Sequence, residues 1–171
     1  GNLMGAFHFV RDILYHNKSA KAKNEAAIAN GEEATEVLMK PIVGCEFFVC
    51  EDHKNKSVKD NGYQVVLLAK TKKGYHNLAK MSSIGFTEGF YYVPRIDRKI
   101  IQQYKEDIIV LSGNLNGEIP SKILNLGENQ AEEALVWWKQ EFGEDFYIEV
   151  MRHNQEDENR MNETLISLAR K

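Results

Sequence analysis

Short apolar runs alternate with amphipathic segments along most of the chain. The apolar runs are typical of strands, and segments whose apolar positions recur every three or four residues are typical of helices. Strands that alternate with helices indicate βαβ units and a largely parallel sheet, the arrangement of the α/β class. The predicted strands cover residues 42–50, 65–69, 108–111 and 146–151, and the predicted helices cover residues 6–16, 74–86, 96–104, 118–126, 129–142 and 156–171.

Two local signals refine these elements. The run from Val65 to Ala69 lacks polar alternation, which predicts burial on both faces of the strand, as in a parallel sheet. Asn129, with Glu132 three residues later, is a good N-cap for the helix that follows it. Four strands of this kind fit either an open doubly wound sheet or an arc of a barrel.

Residues 17–39 interrupt the pattern. The apolar stripe of the first helix fades at His16 and Asn17, and the residues that follow are rich in Lys, Ala, Asn and Glu. Such a composition cannot bury much apolar surface. We therefore predict a flexible, solvated insertion over 17–39, with some helix around residues 25–29.

Composition narrows the class of protein. The 171 residues carry a net charge of −3, and 43% are hydrophobic and 27% charged, as in a soluble domain with one core. The basic surplus of a free-standing nucleic-acid-binding protein is absent. No apolar run approaches the roughly 20 residues of a membrane helix, so we expect a cytoplasmic protein without a membrane partner. Cys45 and Cys50 lie five residues apart on one predicted strand and point to opposite faces, which predicts two free thiols.

Common catalytic motifs do not occur in the sequence. There is no Walker phosphate loop, no Gly-x-Gly-x-x-Gly and no Gly-x-Ser-x-Gly elbow. None of the five histidines pairs with another at metal-ligand spacing. His153 follows a predicted strand, where the sites of α/β proteins gather, but a loop histidine that bonds the next helix is the interpretation we favour.

Two strand carboxylates remain as candidates for chemistry. Glu46 lies between Cys45 and Phe47 in an otherwise apolar strand. If it points into a barrel it needs a cation, a metal or an arginine; if it points outward on an edge strand it needs none. Glu149, between two apolar neighbours, is either a salt-bridge partner or points out of the sheet.

Several strings of the sequence resemble one known family. In order along the chain they read KPIVGCEFFV at 40–49, LLAK at 67–70, GYHNL at 74–78, PRID at 94–97, LSGNLNGEIP at 111–120, FYIEVMRH at 146–153 and NETL at 162–165. Together they are similar to the PHP (polymerase and histidinol phosphatase) domain of the α subunits of bacterial DNA polymerase III. Their order and spacing extend across nearly the whole chain apart from residues 17–39.

The resemblance implies an incomplete PHP-type barrel, a distorted TIM-like βα barrel of mainly parallel strands with outer helices. Residues 1–171 would all belong to this single domain. The family's His-x-His and Asn-Asp-x-His motifs, which supply most of its metal ligands, would lie outside residues 1–171.

The resemblance also implies which residues occupy the family's other metal-ligand positions. Glu46 stands at a retained ligand position, whereas Gln64 stands where the family has histidine and Asn114 where it has cysteine. Neutral amides are poor ligands for zinc-like metals. We therefore expect a degraded metal site, although relatives that keep it use Zn or Mn.

The function implied is that of a part of the catalytic α subunit of the replicative polymerase. The parent protein would carry out DNA-directed DNA synthesis with Mg and would contact DNA and the sliding clamp. This region alone would hold no cofactor and would neither synthesise DNA nor hydrolyse phosphate. Its expected roles are support of the rest of the α subunit and docking of the proofreading exonuclease subunit.

Two alternatives stay open. A free-standing metal-dependent PHP phosphoesterase would need His-x-His and Asp-x-His pairs, and the sequence contains neither. A non-catalytic α/β interaction domain would need no metal ligands at all.

Overall fold

The computed structural model describes residues 2–153 and 155–170. The chain divides into two compact units, one of residues 3–43 and one of residues 44–171 with the first two residues. In the described residues no helix is both long enough and apolar enough to cross a membrane.

The smaller unit is one long helix and an extended segment that returns along it. Helix α1 covers Ala6–Ala29, so the prediction that it ends at His16 and Asn17 is wrong. Alanine, lysine and glutamate are strong helix formers, and the polar composition that predicted an insertion also continues the helix. Flexibility of residues 17–39 stays a prediction.

The larger unit contains one sheet of five strands within the described residues. The strands are β1 (Gly44–Cys50), β2 (Tyr63–Ala69), β3 (Arg95–Asp97), β4 (Ile108–Leu111) and β5 (Phe146–Tyr147), in the spatial order β3-β1-β2-β4-β5. The pairs β1–β3 and β4–β5 are parallel, whereas β2 is antiparallel to β1 and β4. Four of the five described strands therefore run in one direction, which agrees with the expected mainly parallel sheet.

Strand β2 corrects one prediction. Its apolar run indicated a parallel strand buried on both faces, yet it is antiparallel to both neighbours. Val65 and Leu67 are buried, whereas Val66 and Leu68 on the other face are only half-buried. A half-covered face accepts apolar residues as readily as a buried one, so the sequence pattern could not distinguish the two cases.

The helices of the larger unit lie close to their predicted positions. They are α2 (Lys72–Thr87), α3 (Arg98–Tyr104), α4 (Glu118–Asn125), α5 (Glu128–Phe142) and α6 (Glu156–Arg170), with a 3₁₀ turn at Gly143–Asp145. Helix α5 begins after Gly127, without a side-chain cap. The prediction of Asn129 as its N-cap is therefore wrong, because Asn129 already lies in the first turn.

The core lies on one face of the sheet. Phe47 and Val49 of β1, Leu67 of β2 and Val110 of β4 are buried there, and helices α2 and α4 contact β2. Both cysteines are buried free thiols, as predicted. Strands β3 and β5 form the two edges of the described sheet, so these residues build an open α/β arc rather than a closed barrel.

Candidate metal-binding face of the sheet

The face of the sheet opposite the core carries the residues singled out at ligand positions. Glu46 is paired with Val66, and Gln64 with Phe48, across β1 and β2. Because directly opposed residues point to the same side and side chains alternate along a strand, Glu46 and Gln64 share one face. Val66 is in turn paired with Leu111, and Leu111 with Tyr147, which continues this face to the end of β5.

Strand β1 lies between β3 and β2, but β3 pairs with Phe48, Val49 and Cys50 only, so the described residues give Glu46 a paired neighbour on the β2 side alone. Whether Glu46 points into a barrel or outward at an edge stays a prediction. The side chain is exposed. In the part of the chain that the structure describes, Glu46 belongs to no group of three His, Cys, Asp or Glu side chains able to share an ion.

Gln64 and Asn114 lie together and bond to each other. Asn114 Nδ2 donates to Gln64 Oε1 at 2.9 Å, and Asn114 Oδ1 accepts the backbone N–H of Asn116 at 2.8 Å. The backbone joins the same elements, since the Gln64 N–H donates to the carbonyl of Asn116 at 2.9 Å. Both amide carbonyl oxygens, the atoms that a metal ion would use, therefore already accept an N–H.

The loop that presents Asn114 depends on a glycine. Gly113 has a φ of +82°, which is unfavourable for other residues, and a Cβ there would lie 3.0 Å from the carbonyl oxygen of Gln64. Glycine at this position lets the loop after β4 approach the start of β2. This close approach allows the amide of Asn114 to reach the amide of Gln64.

Glu149 follows β5 and lies beside the loop that presents Asn114. Its backbone N–H donates to Ser112 Oγ at 2.8 Å, and its Oε2 is buried without a hydrogen-bond partner in the described residues. Burial raises the pKa of Glu149; the Gly113 N–H opposes this effect, and the negative charge of Glu46 adds to it. Within residues 2–153 and 155–170 Glu149 is thus not the salt-bridge partner that one alternative predicted.

His153 is the loop residue that we favoured. Its backbone N–H donates to Glu158 Oε2, and its Nδ1 lies 2.8 Å from Glu158 Oε1, on helix α6. The hydrogen bonds from His153 lower the pKa of Glu158, which is buried. His153 therefore binds the start of the next helix, as predicted, and does not join the other candidates.

A different group of residues was missed by the sequence analysis. Asp52, His53 and Asp97 each place a potential ligand atom within 4.8 Å of the other two. The signal for this group in the sequence is weak, because His53 lies in a polar loop and Asp97 follows it by 44 residues.

Comparison with known proteins decides the family. The model of the PHP domain family matches residues 2–153.

The chain belongs to the PHP domain family.

Its relatives are large polymerase subunits. DNA polymerase III subunit alpha of Borreliella burgdorferi is 38% identical over 148 residues, which is 84% of this chain and 13% of that protein. The subunit of Deinococcus radiodurans is 31% identical over 99% of this chain and 12% of its own length, and that of Aquifex aeolicus is 33% identical over 100% and 14%. This PHP domain thus spans 12–14% of the length of these three relatives.

The family assignment confirms the expected architecture. The open sheet with helices on its core side is consistent with part of the distorted βα barrel of a PHP domain. The exposed face that carries Glu46, Gln64 and Glu149 contains the positions at which the resemblance placed ligands. In this PHP domain, two of those positions hold amides whose oxygens are already bonded.

Proposed function

We propose that this chain is the PHP region of the α subunit of a bacterial replicative DNA polymerase, and that its role there is mechanical. The parent would synthesise DNA with Mg in the cytoplasm and contact DNA and the sliding clamp. The PHP region would support the rest of the α subunit and dock the proofreading exonuclease subunit. The similarity to three polymerase α subunits over 84–100% of this chain supports the parent.

The hydrogen bond between the amides of Gln64 and Asn114 carries the proposal of a degraded metal site. Zinc and manganese clusters need several imidazole, thiolate or carboxylate donors. Here one amide nitrogen donates to the other amide oxygen at 2.9 Å, so the two side chains bond to each other, and neither offers the imidazole or thiolate donor of the family. Glu46 and Glu149 remain as two carboxylates, and we assign no catalytic step to them.

Metal analysis of the full-length protein tests the degraded site. We expect the Zn and Mn content of the wild type and of the variant Glu46→Gln to be the same. Two or three tightly held ions per chain, at least one of them lost in Glu46→Gln, would contradict the proposal.

Restoring the family's donors gives a sharper test of the same point. The double substitution Gln64→His and Asn114→Cys should add at least one bound ion to the metal content of the wild type, because imidazole and thiolate replace two bonded amides. Gln103→His, at an exposed position of α3, is the matched control and should hold the same amount of metal as the wild type. Equal metal content in the wild type and the restored variant would argue that the amides are not what prevents binding.

The docking role is proposed for residues 17–39, the segment expected to be an insertion. Large apolar side chains are exposed there, among them Ile28 and Val37, which are 64% and 73% exposed. Exposed apolar side chains grouped on one segment are typical of protein-binding surfaces. The polar loop 51–62 is the other candidate contact surface.

Binding of the proofreading exonuclease subunit to the full-length protein tests this surface. The double substitution Ile28→Ser and Val37→Ser should weaken binding at least tenfold, since central apolar contacts dominate interfaces. Leu126→Ser, at a residue 60% exposed in the larger unit, is the control. Unchanged affinity of the double variant would exclude residues 17–39 as the docking surface and leave loop 51–62 to be tested.

A further inference from the structure

His53 is a buried histidine with one ring nitrogen unused. Its side chain is 7% exposed, and its Nδ1 lies 2.5 Å from Asp97 Oδ2. Its Nε2 is buried and has no hydrogen-bond partner in the described residues. A buried nitrogen without a partner is costly, so this atom needs an explanation.

Asp97 fixes the orientation of the ring. Its Oδ1 accepts the Ile100 N–H at 3.0 Å as the N-cap of α3, and its Oδ2 also accepts the backbone N–H of His53 at 3.3 Å. Burial raises the pKa of Asp97, but the hydrogen bonds from His53 and Ile100 lower it overall. A carboxylate oxygen 2.5 Å from Nδ1 favours the tautomer with hydrogen on Nδ1, which leaves the lone pair of Nε2 free.

Three carboxylates lie close to the imidazole of His53. Glu88 Oε2, at the end of α2, lies 4.0 Å from His53 Nε2, Asp97 contacts Nδ1, and one oxygen of Asp52 lies within 4.8 Å of a ring nitrogen of His53 and of an Asp97 oxygen. We refer to Asp52, His53, Glu88 and Asp97 as the His53 cluster. Its three carboxylates and one free imidazole nitrogen are the donors that a borderline divalent cation prefers.

Two cations lie nearby and have other contacts. Lys54 Nζ is 3.4 Å from Glu88 Oε2, but its side chain is 68% exposed and free to turn away. Arg95 directs its guanidinium at backbone carbonyls, including those of His53 and Asn55. Among the described contacts of Arg95, none is with a carboxylate of the cluster.

We propose that the His53 cluster binds one divalent transition-metal cation, such as Zn²⁺, through His53 Nε2 with carboxylate oxygens of Glu88 and Asp52, while Asp97 orients the imidazole. Zn–N and Zn–O bonds of about 2.0–2.1 Å place neighbouring ligand atoms roughly 3.3 Å apart. The present 4.0 Å between Nε2 and Glu88 is closed by a small rotation of Glu88, whose side chain is 49% exposed.

The ion would cross-link three elements. It would join the loop that follows β1, the end of α2 and, through Asp97, the start of α3. This site is distinct from the face of Glu46, Gln64 and Asn114 and does not depend on the polymerase role proposed above. The role of the ion would be structural, because cross-linking these three elements accounts for the site without a substrate pocket.

Titration of the chelator-treated full-length protein with Co²⁺, followed by its visible absorption, tests the site. We expect one equivalent to bind, and His53→Gln and Glu88→Gln to weaken binding at least tenfold. His76→Gln, at an exposed histidine of α2, is the matched control and should bind as the wild type does. Glu88→Gln keeps the test valid if His53→Gln does not fold, because Glu88 is half-exposed.

Zn²⁺ supplies a second readout. It should raise the Tm of the wild type and of His76→Gln but not that of Glu88→Gln, since a ligand stabilises the state that binds it. Absence of a Co²⁺ spectrum in the wild type would overturn the proposal. A spectrum that survives both cluster variants but is lost in Glu46→Gln would place the ion on the sheet face and overturn it equally.

Discussion

Arg95 is a charged residue that the fold buries completely. All four of its hydrogen bonds go to backbone carbonyl oxygens. Its Nε donates to Gly89 at 3.1 Å, its Nη1 to Asp60 at 2.7 Å, and its Nη2 to His53 at 3.3 Å and Asn55 at 2.9 Å. The planar guanidinium can satisfy several acceptors at once. One side chain of β3 therefore holds much of loop 51–62 in place, which gives a physical reason for the arginine of the PRID string.

Replacing Arg95 by methionine should destabilise the protein strongly. The substitution keeps the apolar stem but leaves four carbonyl groups without this donor, and we expect a loss of about 3 kcal/mol in the free energy of unfolding. Urea unfolding measures the loss. Arg152→Met, at an exposed arginine, should cost less than about 0.5 kcal/mol, and equal effects of the two substitutions would contradict this account.

Glu149 should destabilise the folded state when it is ionised. Its folded-state pKa is raised, by burial first and by the charge of Glu46 as well. The stabilising contribution of the raised pKa is present below the unfolded-state pKa of about 4.3 and is lost as the pH rises through the folded-state pKa. Glu149→Gln should therefore be more stable than the wild type at pH 7, with a difference that disappears near pH 4. A Glu149→Gln variant less stable than the wild type at pH 7 would contradict this account of the buried carboxylate.

Among the helices and strands, the sequence predicted the ones whose bounds follow from the local pattern of apolar and polar residues. Strand β4 was predicted with its observed bounds because Ile108–Leu111 is an apolar run between polar residues. Strand β3 was missed, because Arg95 and Asp97 are polar and several of their buried contacts are with a loop more than 30 residues away. Strand β5 ends at Tyr147 rather than Met151, although the apolar pattern continues.

Helix α1 and the segment after it are joined by two asparagines. Asn17 donates to the Met39 carbonyl at 2.7 Å and accepts its N–H at 2.8 Å, and Asn24 does the same with Glu36 at 2.9 Å in each direction. Each side-chain amide thus donates one hydrogen bond to, and accepts one from, the backbone of a single residue, as a paired strand residue does. These contacts join residues 12 and 22 positions apart, which is why the sequence did not predict that the return segment is hydrogen-bonded to the helix.

Removing these amides should release the return segment without melting the helix. In the double variant Asn17→Ala and Asn24→Ala, we expect the amide hydrogens of Glu36 and Met39 to exchange about tenfold faster, since each lost hydrogen bond is worth roughly 1 kcal/mol. Hydrogen exchange measures this effect, and circular dichroism checks that the helix remains. Asn129→Ala, at an exposed position of α5, is the control; unchanged exchange in the double variant would show that residues 17–39 are as flexible as the sequence indicated.

Across the whole molecule, the resemblance named ligand positions of the candidate site but not the contacts between them. The register of β1 with β2 places two of these positions, Glu46 and Gln64, on a common face. The contact of Gln64 with Asn114 spans 50 residues, and that of His53 with Asp97 spans 44. Such pairings depend on how β2 meets the loop after β4 and how β3 meets β1, which no local pattern contains.

Glu118 connects three helices of the larger unit and should control its stability in acid. Its Oε1 accepts Arg98 of α3 at 2.7 Å and Lys122 of α4 at 2.8 Å, and its Oε2 accepts Trp138 Nε1 of α5 at 3.0 Å. Burial raises the pKa of Glu118, but Lys122 and Arg98 lower it below its ordinary value.

A lowered folded-state pKa contributes stability that is present above the unfolded-state pKa of about 4.3 and is lost as the pH falls through the folded-state pKa. Glu118→Gln should therefore be less stable than the wild type by about 2 kcal/mol at pH 7, with a difference that narrows below pH 4. Urea unfolding at a series of pH values measures both Glu118→Gln and Glu149→Gln, and the two variants should differ in sign at neutral pH. If both lost stability alike, glutamine itself would be the cause, and the charges that surround Glu118 would not hold these helices together.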